Sequence, residues 1–196
     1  MSTTSNKRVY LVGLMGSGKT TIGQLLAKRL GWQFLDADHE LERRTGVSVA
    51  TIFEIEGEAS FRIREAALID ELTTRDHIVL GTGGGAVLNA ASRNMLHSRG
   101  ITFYLHSLAE TSYERIRRSR DRPLLLVSDP LAQLKHLYEV RHALYEETAH
   151  YVVESYRDRP VAVVAEILRI LSTISTDGTG VAPTTPAPGY RSAQSI

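Results

Sequence analysis

The chain has 196 residues, 42% of them hydrophobic and 23% charged, with a formal net charge of +1. That length and balance describe one soluble domain with a full core, and give no global field that would draw nucleic acid or an anionic membrane. With no cysteine, a disulfide framework, a thiolate zinc site and a cysteine nucleophile are all excluded.

The basic residues are lopsided, nineteen Arg against four Lys. The planar guanidinium fork suits bidentate grip on carboxylate and phosphate, so the excess fits small anionic substrates; an Arg-rich coding composition fits it equally. No stretch approaches the roughly 18 apolar residues of a membrane span. Residues 1–7 are polar and without an apolar signal core, which predicts a frayed terminus and a cytoplasmic protein.

From Arg8 onward, short apolar runs alternate with helical patterns, the signature of a parallel sheet covered on both faces by helices. Strands are predicted at Val9–Gly13, Gln33–Asp36, His77–Leu80, Ile101–Leu105 and Tyr151–Glu154. Helices are predicted at about Lys19–Leu30, Asp38–Thr45, Gly57–Thr74, Asn89–Arg99, Ser107–Arg118, Pro130–Thr148 and Val161–Ile174. A single domain over residues 8–174 results. From Ser175 the Thr, Gly and Pro content predicts a disordered tail over 175–196.

The first strand runs into Gly13-Leu14-Met15-Gly16-Ser17-Gly18-Lys19-Thr20. This is G-x-x-x-x-G-K-[ST] between a strand and a helix, the context in which the pattern forms a phosphate loop. Its glycines let backbone N–H groups converge on one anion, where the helix N-terminus adds its partial positive charge. Lys19 reaches the β- and γ-phosphates of a nucleoside triphosphate, and the Thr20 hydroxyl can ligate Mg²⁺.

In an open parallel sheet, ligands bind beyond the carboxyl ends of the strands. Asp36-Ala37-Asp38 follows the second strand and Gly81-Thr82-Gly83-Gly84-Gly85 the third, so both are expected at the same crevice. Asp36 and Asp38 share a side if the strand continues to Asp38, offering one carboxylate for Mg²⁺ through water and one for a hydroxyl proton. Alternatively Asp38 caps the following helix while Asp36 is solvated. Gly83, Gly84 and Gly85 allow a substrate to approach the backbone closely.

Taken with Phe61-Arg62, Arg122-Pro123-Leu124-Leu125 and Arg141 with Tyr145, these motifs come in the order and spacing of the shikimate kinases, which the chain resembles from about Val9 to Leu171. The resemblance implies a phosphate-loop α/β/α fold of three layers around five parallel strands, like the nucleoside monophosphate kinases, with a mobile lid at about 115–128. It implies transfer of the γ-phosphoryl of ATP to the 3-hydroxyl of shikimate, in the route to chorismate and the aromatic amino acids, by a protein expected to be a monomer. ATP would lie over Met15, Gly16, Ser17, Gly18, Lys19, Thr20 and Thr21, with Arg115, Arg122 and Arg159 against it; Arg157 fits the last position nearly as well. Thr20 and Asp36 would serve Mg²⁺. Asp38, Arg62, Gly83, Gly84, Gly85 and Arg141 would hold shikimate, with Lys19, Asp38 and Arg122 catalytic. Tyr145 reads as core packing one turn beyond Arg141.

Five arginines fall between Arg115 and Pro123. They suit a solvated helix end, a nucleic-acid patch or a lid that brings charge to the triphosphate. Net charge near zero and the lack of interleaved aromatics oppose the second. The seven histidines show no metal-like cluster. A gluconate kinase would share the loop and fold but lack Asp-Ala-Asp, Phe-Arg and the triple glycine. A silent nucleotide-binding regulator is opposed by intact Lys19, Thr20 and Asp38.

Overall fold

In the computed structural model, residues 7–117, 127–156 and 159–176 are described. Five parallel strands, β1 (Arg8–Val12), β2 (Gln33–Asp36), β3 (Ile78–Gly81), β4 (Ile101–His106) and β5 (Tyr151–Glu154), form one sheet in the order β2-β3-β1-β4-β5. The helices are α1 (Lys19–Leu30), α2 (Ala37–Thr45), α3 (Val49–Leu72), α4 (Ala90–Arg99), α5 (Ala109–Ile116), α6 (Pro130–Thr148) and α7 (Pro160–Thr176), with a 3-10 turn at Ala86–Leu88.

Central β1 shows why the sheet is covered on both sides. Its side chains alternate: Tyr10 and Val12 join a core with Leu41, Phe61, Ile69, Leu96 and Tyr145. Val9 and Leu11 join the opposite core with Ile22, Leu26, Val163 and Ile167. These four β1 residues are fully buried, so the strand from Val9 to Val12 must be apolar throughout rather than alternating. Parallel pairing sets Tyr10 against Leu80 of β3 on one side and Thr102 of β4 on the other.

The strand order reverses beside β1, whose neighbours lead away to β2 on one side and β5 on the other. Such a switch point leaves a crevice outside the carboxyl ends. The predicted elements agree with the observed ones within a few residues, with one exception. Helix α3 begins at Val49, capped by Ser48 through its side chain to Thr51 N, and crosses Gly57 at φ 79°, ψ 170°. Glycine tolerates this kink, and a sequence reading that starts the helix at Gly57 takes the break for the beginning. Helix α7 continues through Thr176, taking in the first two residues of the expected tail; residues 177–196 lie outside those described.

Candidate active site

Two glycines of the loop after β1 are required by close contacts. Gly13 has φ 143° and a Cβ there would lie 2.7 Å from Leu105 O; Gly16 has φ 80° and a Cβ 2.6 Å from Ser112 O. The loop therefore nests between β4 and α5, and L side chains are barred by both conformation and space. Helix α1 begins after Gly18 with no side-chain cap and no acidic residue in its first turn. Its N-terminal amides and partial positive charge are left for an anion. Lys19 folds across this mouth, its Nζ donating to Gly13 O at 2.8 Å and Leu14 O at 2.9 Å.

The Thr20 hydroxyl donates to Asp36 Oδ2 at 2.8 Å. Asp36 Oδ1 accepts from Asp38 N and His39 N, which makes Asp36 the N-cap of α2. This corrects both sequence readings of the acidic pair. The strand stops at Asp36, so strand alternation does not align the carboxylates, and the cap is Asp36 rather than Asp38. Asp38 reaches the crevice from the first turn of α2 instead.

The triple glycine is where the two halves of the site meet. A Cβ on Gly83 would lie 2.3 Å from Glu65 Oε1 and 2.9 Å from Asp38 Oδ1. One on Gly84 would lie 3.4 Å from Met15 N and 3.7 Å from Arg141 Nη1, and one on Gly85 would collide with the Arg62 guanidinium at 2.2 Å. Removing three side chains thus lets two carboxylates, two arginines and the phosphate loop crowd onto one short backbone segment. Thr82 fixes its entry, with N and Oγ1 both donating to Leu11 O.

Arg62 comes from α3, where buried Phe61 anchors the helix. Its Nη1 donates to Glu65 Oε2 at 2.7 Å, and Nε and Nη2 to Glu58 Oε1. The guanidinium also lies 5.1 Å from the Phe61 ring centroid and 5.9 Å from that of Phe53, within cation–π range. Burial alone would lower the Arg62 pKa, but the Glu65 charge and the bonds to Glu65 and Glu58 outweigh it and hold the group ionised. Burial pushes the Glu65 carboxyl up, against the opposing pull of Arg62 and Arg141, while Asp38 adds to the rise.

Arg141, on α6, is only 3% exposed, and its Nε and Nη1 have no hydrogen-bond partner among the described residues; the same holds for Oε1 of 3% exposed Glu65. Buried guanidinium nitrogens without acceptors are costly unless a ligand supplies them. They call for an anion, and the neighbouring carboxylates for a hydroxyl donor.

One crevice of about 820 Å³ is lined by the loop residues Met15, Gly16, Gly18, Lys19, Thr20 and Thr21 together with Asp36, Asp38, Arg62, Gly83, Gly84, Gly85, Arg115 and Arg141. Arg115 donates from Nη1 to Gly16 O at 3.2 Å and from Nη2 to Ser155 O at 2.7 Å, bridging the loop to the end of β5. Ser17, within the loop, is fully buried. Arg159 is exposed ahead of α7 and lies off the crevice lining. Arg117 pairs with Glu114 at the surface. Arg122, the rest of the lid segment at 118–126, and Arg157 lie outside the described residues. Glu65 is the residue that sequence reading overlooked. Its signal was the i, i+3 spacing from Arg62.

A family model described as Shikimate kinase matches residues 15–172. The chain is 51% identical over 163 residues to the shikimate kinase of Dechloromonas aromatica (strain RCB), covering 83% of this chain and 89% of that protein. The solved structure of shikimate kinase from Acinetobacter baumannii in complex with shikimate matches with a TM-score of 0.85 at 44% identity, over 88% of this chain and 96% of that one. Deoxyadenosine kinase from M. mycoides with bound dATP, at TM-score 0.55 and 16% identity over 84% of this chain and 99% of that one, shares the fold alone. A three-layer phosphate-loop architecture, a crevice that gathers the loop with a buried acid-and-arginine cluster, and these matches have one meaning: the chain belongs to the shikimate kinase family.

Proposed function

We propose that the crevice seats ATP on the glycine loop and shikimate on the cluster beside it, so that the γ-phosphoryl passes from one to the other within a single cavity. As a member of its family the chain is an ATP-dependent kinase that phosphorylates a hydroxyl, giving shikimate 3-phosphate and ADP. The assignment of individual residues is our reading. The observation that supports it most is the pair of unmet nitrogens on buried Arg141 next to the unmet Oε1 of Glu65, in the cavity that Lys19 also lines.

Arg62 and Arg141 grip the shikimate carboxylate from two helices, a paired charge-assisted clamp. Gly83, Gly84 and Gly85 let the ring lie against backbone. Asp38 accepts from the ring hydroxyls and orients the attacking one; phosphoryl transfer asks mainly for alignment and charge neutralisation, so no strong base is required. Lys19 leaves its carbonyl partners for the β- and γ-phosphates, which present the same kind of oxygen acceptor with full charge. Arg115, on the crevice lining, flanks the nucleotide, while exposed Arg159 stands apart from that lining; Arg122 would supply a further charge to the transferring phosphoryl.

The Thr20–Asp36 pair fits Mg²⁺, because an oxygen pair at the loop mouth is what this ion takes from a protein when phosphates and water complete its shell. Among the described residues no cluster of three or more His, Cys, Asp or Glu offers a dedicated cage. When bound, the ion neutralises charge on the phosphates. Helices in the described residues are not long and apolar enough to cross a membrane, and we propose a cytoplasmic monomer that acts on dissolved substrates.

The test is ADP release with Mg²⁺-ATP and, in separate reactions, shikimate, gluconate or a nucleoside monophosphate. Release that depends on shikimate supports the reading; release that responds to gluconate or the monophosphate instead overturns it.

A further inference from the structure

Tyr145 is fully buried on α6, one turn beyond Arg141. A phenylalanine would fill the same space in the core. A buried phenol oxygen is costly there unless something holds it. Tyr145 Oη donates to Gly84 O at 2.5 Å, the carbonyl at the centre of the triple glycine. Arg141 faces the same phenol oxygen: its charge and hydrogen bonding act against the burial that pushes the phenol up to about 12. Arg141 Nη1 would also lie 3.7 Å from a Cβ on Gly84. The hydroxyl thus holds the glycine segment against which the Arg141 guanidinium also lies.

The ring is itself held. Tyr145 stacks on Tyr104 of β4 with centroids 5.0 Å apart and planes 28° apart, and the Tyr104 hydroxyl pairs with His142 Nδ1 at 3.0 Å. The oxygen therefore has a fixed position relative to the sheet. In a trans peptide the N–H lies opposite the C=O, so fixing Gly84 O turns the Gly85 N–H away from α6.

We infer that Tyr145 is a positioning residue for the shikimate grip: it fixes the Gly84–Gly85 peptide and the Arg141 guanidinium relative to each other. This rests on the reading that Arg141 binds the shikimate carboxylate. The carboxylate is remote from the reacting hydroxyl, so loosening its grip weakens ground and transition states alike and raises KM without lowering kcat.

The experiment is steady-state kinetics of Tyr145→Phe, Arg141→Lys and the double variant, with melting temperatures alongside. For Tyr145→Phe we expect the KM for shikimate to rise roughly threefold to tenfold, with the KM for ATP and kcat within about twofold of wild type. Because the two side chains act as one unit, the double variant should raise the KM for shikimate by less than the product of the two single effects. An unchanged KM for shikimate, an equal rise for both substrates, a fall in kcat alone, or single effects that multiply fully would each overturn the inference. A rise for Arg141→Lys without one for Tyr145→Phe overturns the role of Tyr145 alone. Loss of shikimate dependence in the wild type, or an Arg141→Lys variant with unchanged kinetics, overturns both it and the reading beneath it.

Discussion

Thr20 and Asp36 are joined by a 2.8 Å hydrogen bond that links the first turn of α1 to the cap of α2. Asp36 thus has a structural role through Oδ1 and a candidate metal role through Oδ2, and two substitutions separate them. Asp36→Asn keeps an oxygen for the cap but loses the charge, whereas Asp36→Ala loses both. We expect Asp36→Asn to melt near wild type and need more Mg²⁺ for half-maximal turnover. Asp36→Ala should lose about 1 kcal/mol of capping and melt roughly 2–4 °C lower. An unchanged Mg²⁺ requirement in both would remove the metal role.

Lys19 donates to two carbonyls of its own loop, Gly13 O and Leu14 O, so its charge stands at the mouth of the phosphate site before any ligand arrives. Lys19→Met keeps length and removes the charge. Turnover should fall by roughly 10²-fold or more, the scale of losing one preorganised charge-stabilising donor, as measured by ADP release at saturating substrates. Near-normal turnover would refute the role.

Much of this site was legible because its parts are strand ends. Gln33–Asp36 and Tyr151–Glu154 match the observed strands, and the topology then brings the following loops to one edge. What a sequence conceals is how side chains are shared. Asp36 and Asp38 read either as an alternating strand pair or as a solvated residue followed by a cap, but Asp36 turns the chain into α2 and so sends Asp38 in from a helix. Glu65 is missed despite standing three residues after Arg62, because the spacing does not reveal that the distant triple glycine removes the side chains that would keep it out of the crevice. Tyr145 reads as plain core because its partner Gly84 lies sixty-one residues away.

Arg62 and Glu65 form a pair in which the carboxylate is the more buried partner, with side-chain exposures of 16% and 4%. Removing only the cation leaves a buried charge without its main partner, which is costly. Arg62→Ala should therefore raise the KM for shikimate by roughly 10- to 100-fold, the scale of losing charge-assisted bonds, and also lower the melting temperature. Adding Glu65→Gln should restore most of the melting temperature without restoring the KM. If the KM for ATP rises instead, the two halves of the crevice have been exchanged; if both properties recover together, Arg62 matters only as packing.

Glu65 also gives the apo protein a pH dependence with a definite sign. Burial raises its carboxyl above the ordinary 4.5, opposed by Arg62 and Arg141 and reinforced by Asp38. A raised folded-state pKa means that the folded protein binds this proton more tightly than the unfolded chain. Its stabilising contribution is complete below the unfolded value and declines as pH rises through the folded one. Glu65→Gln carries no proton to lose. The variant should therefore gain melting temperature relative to wild type as pH rises from about 4.5, with the gain levelling off above the folded pKa of Glu65. Melting curves of both proteins without substrate, from about pH 4 to 8, measure the difference directly. Parallel profiles would show that Glu65 titrates alike in the folded and unfolded chain, and that burial at the clamp imposes no charge penalty.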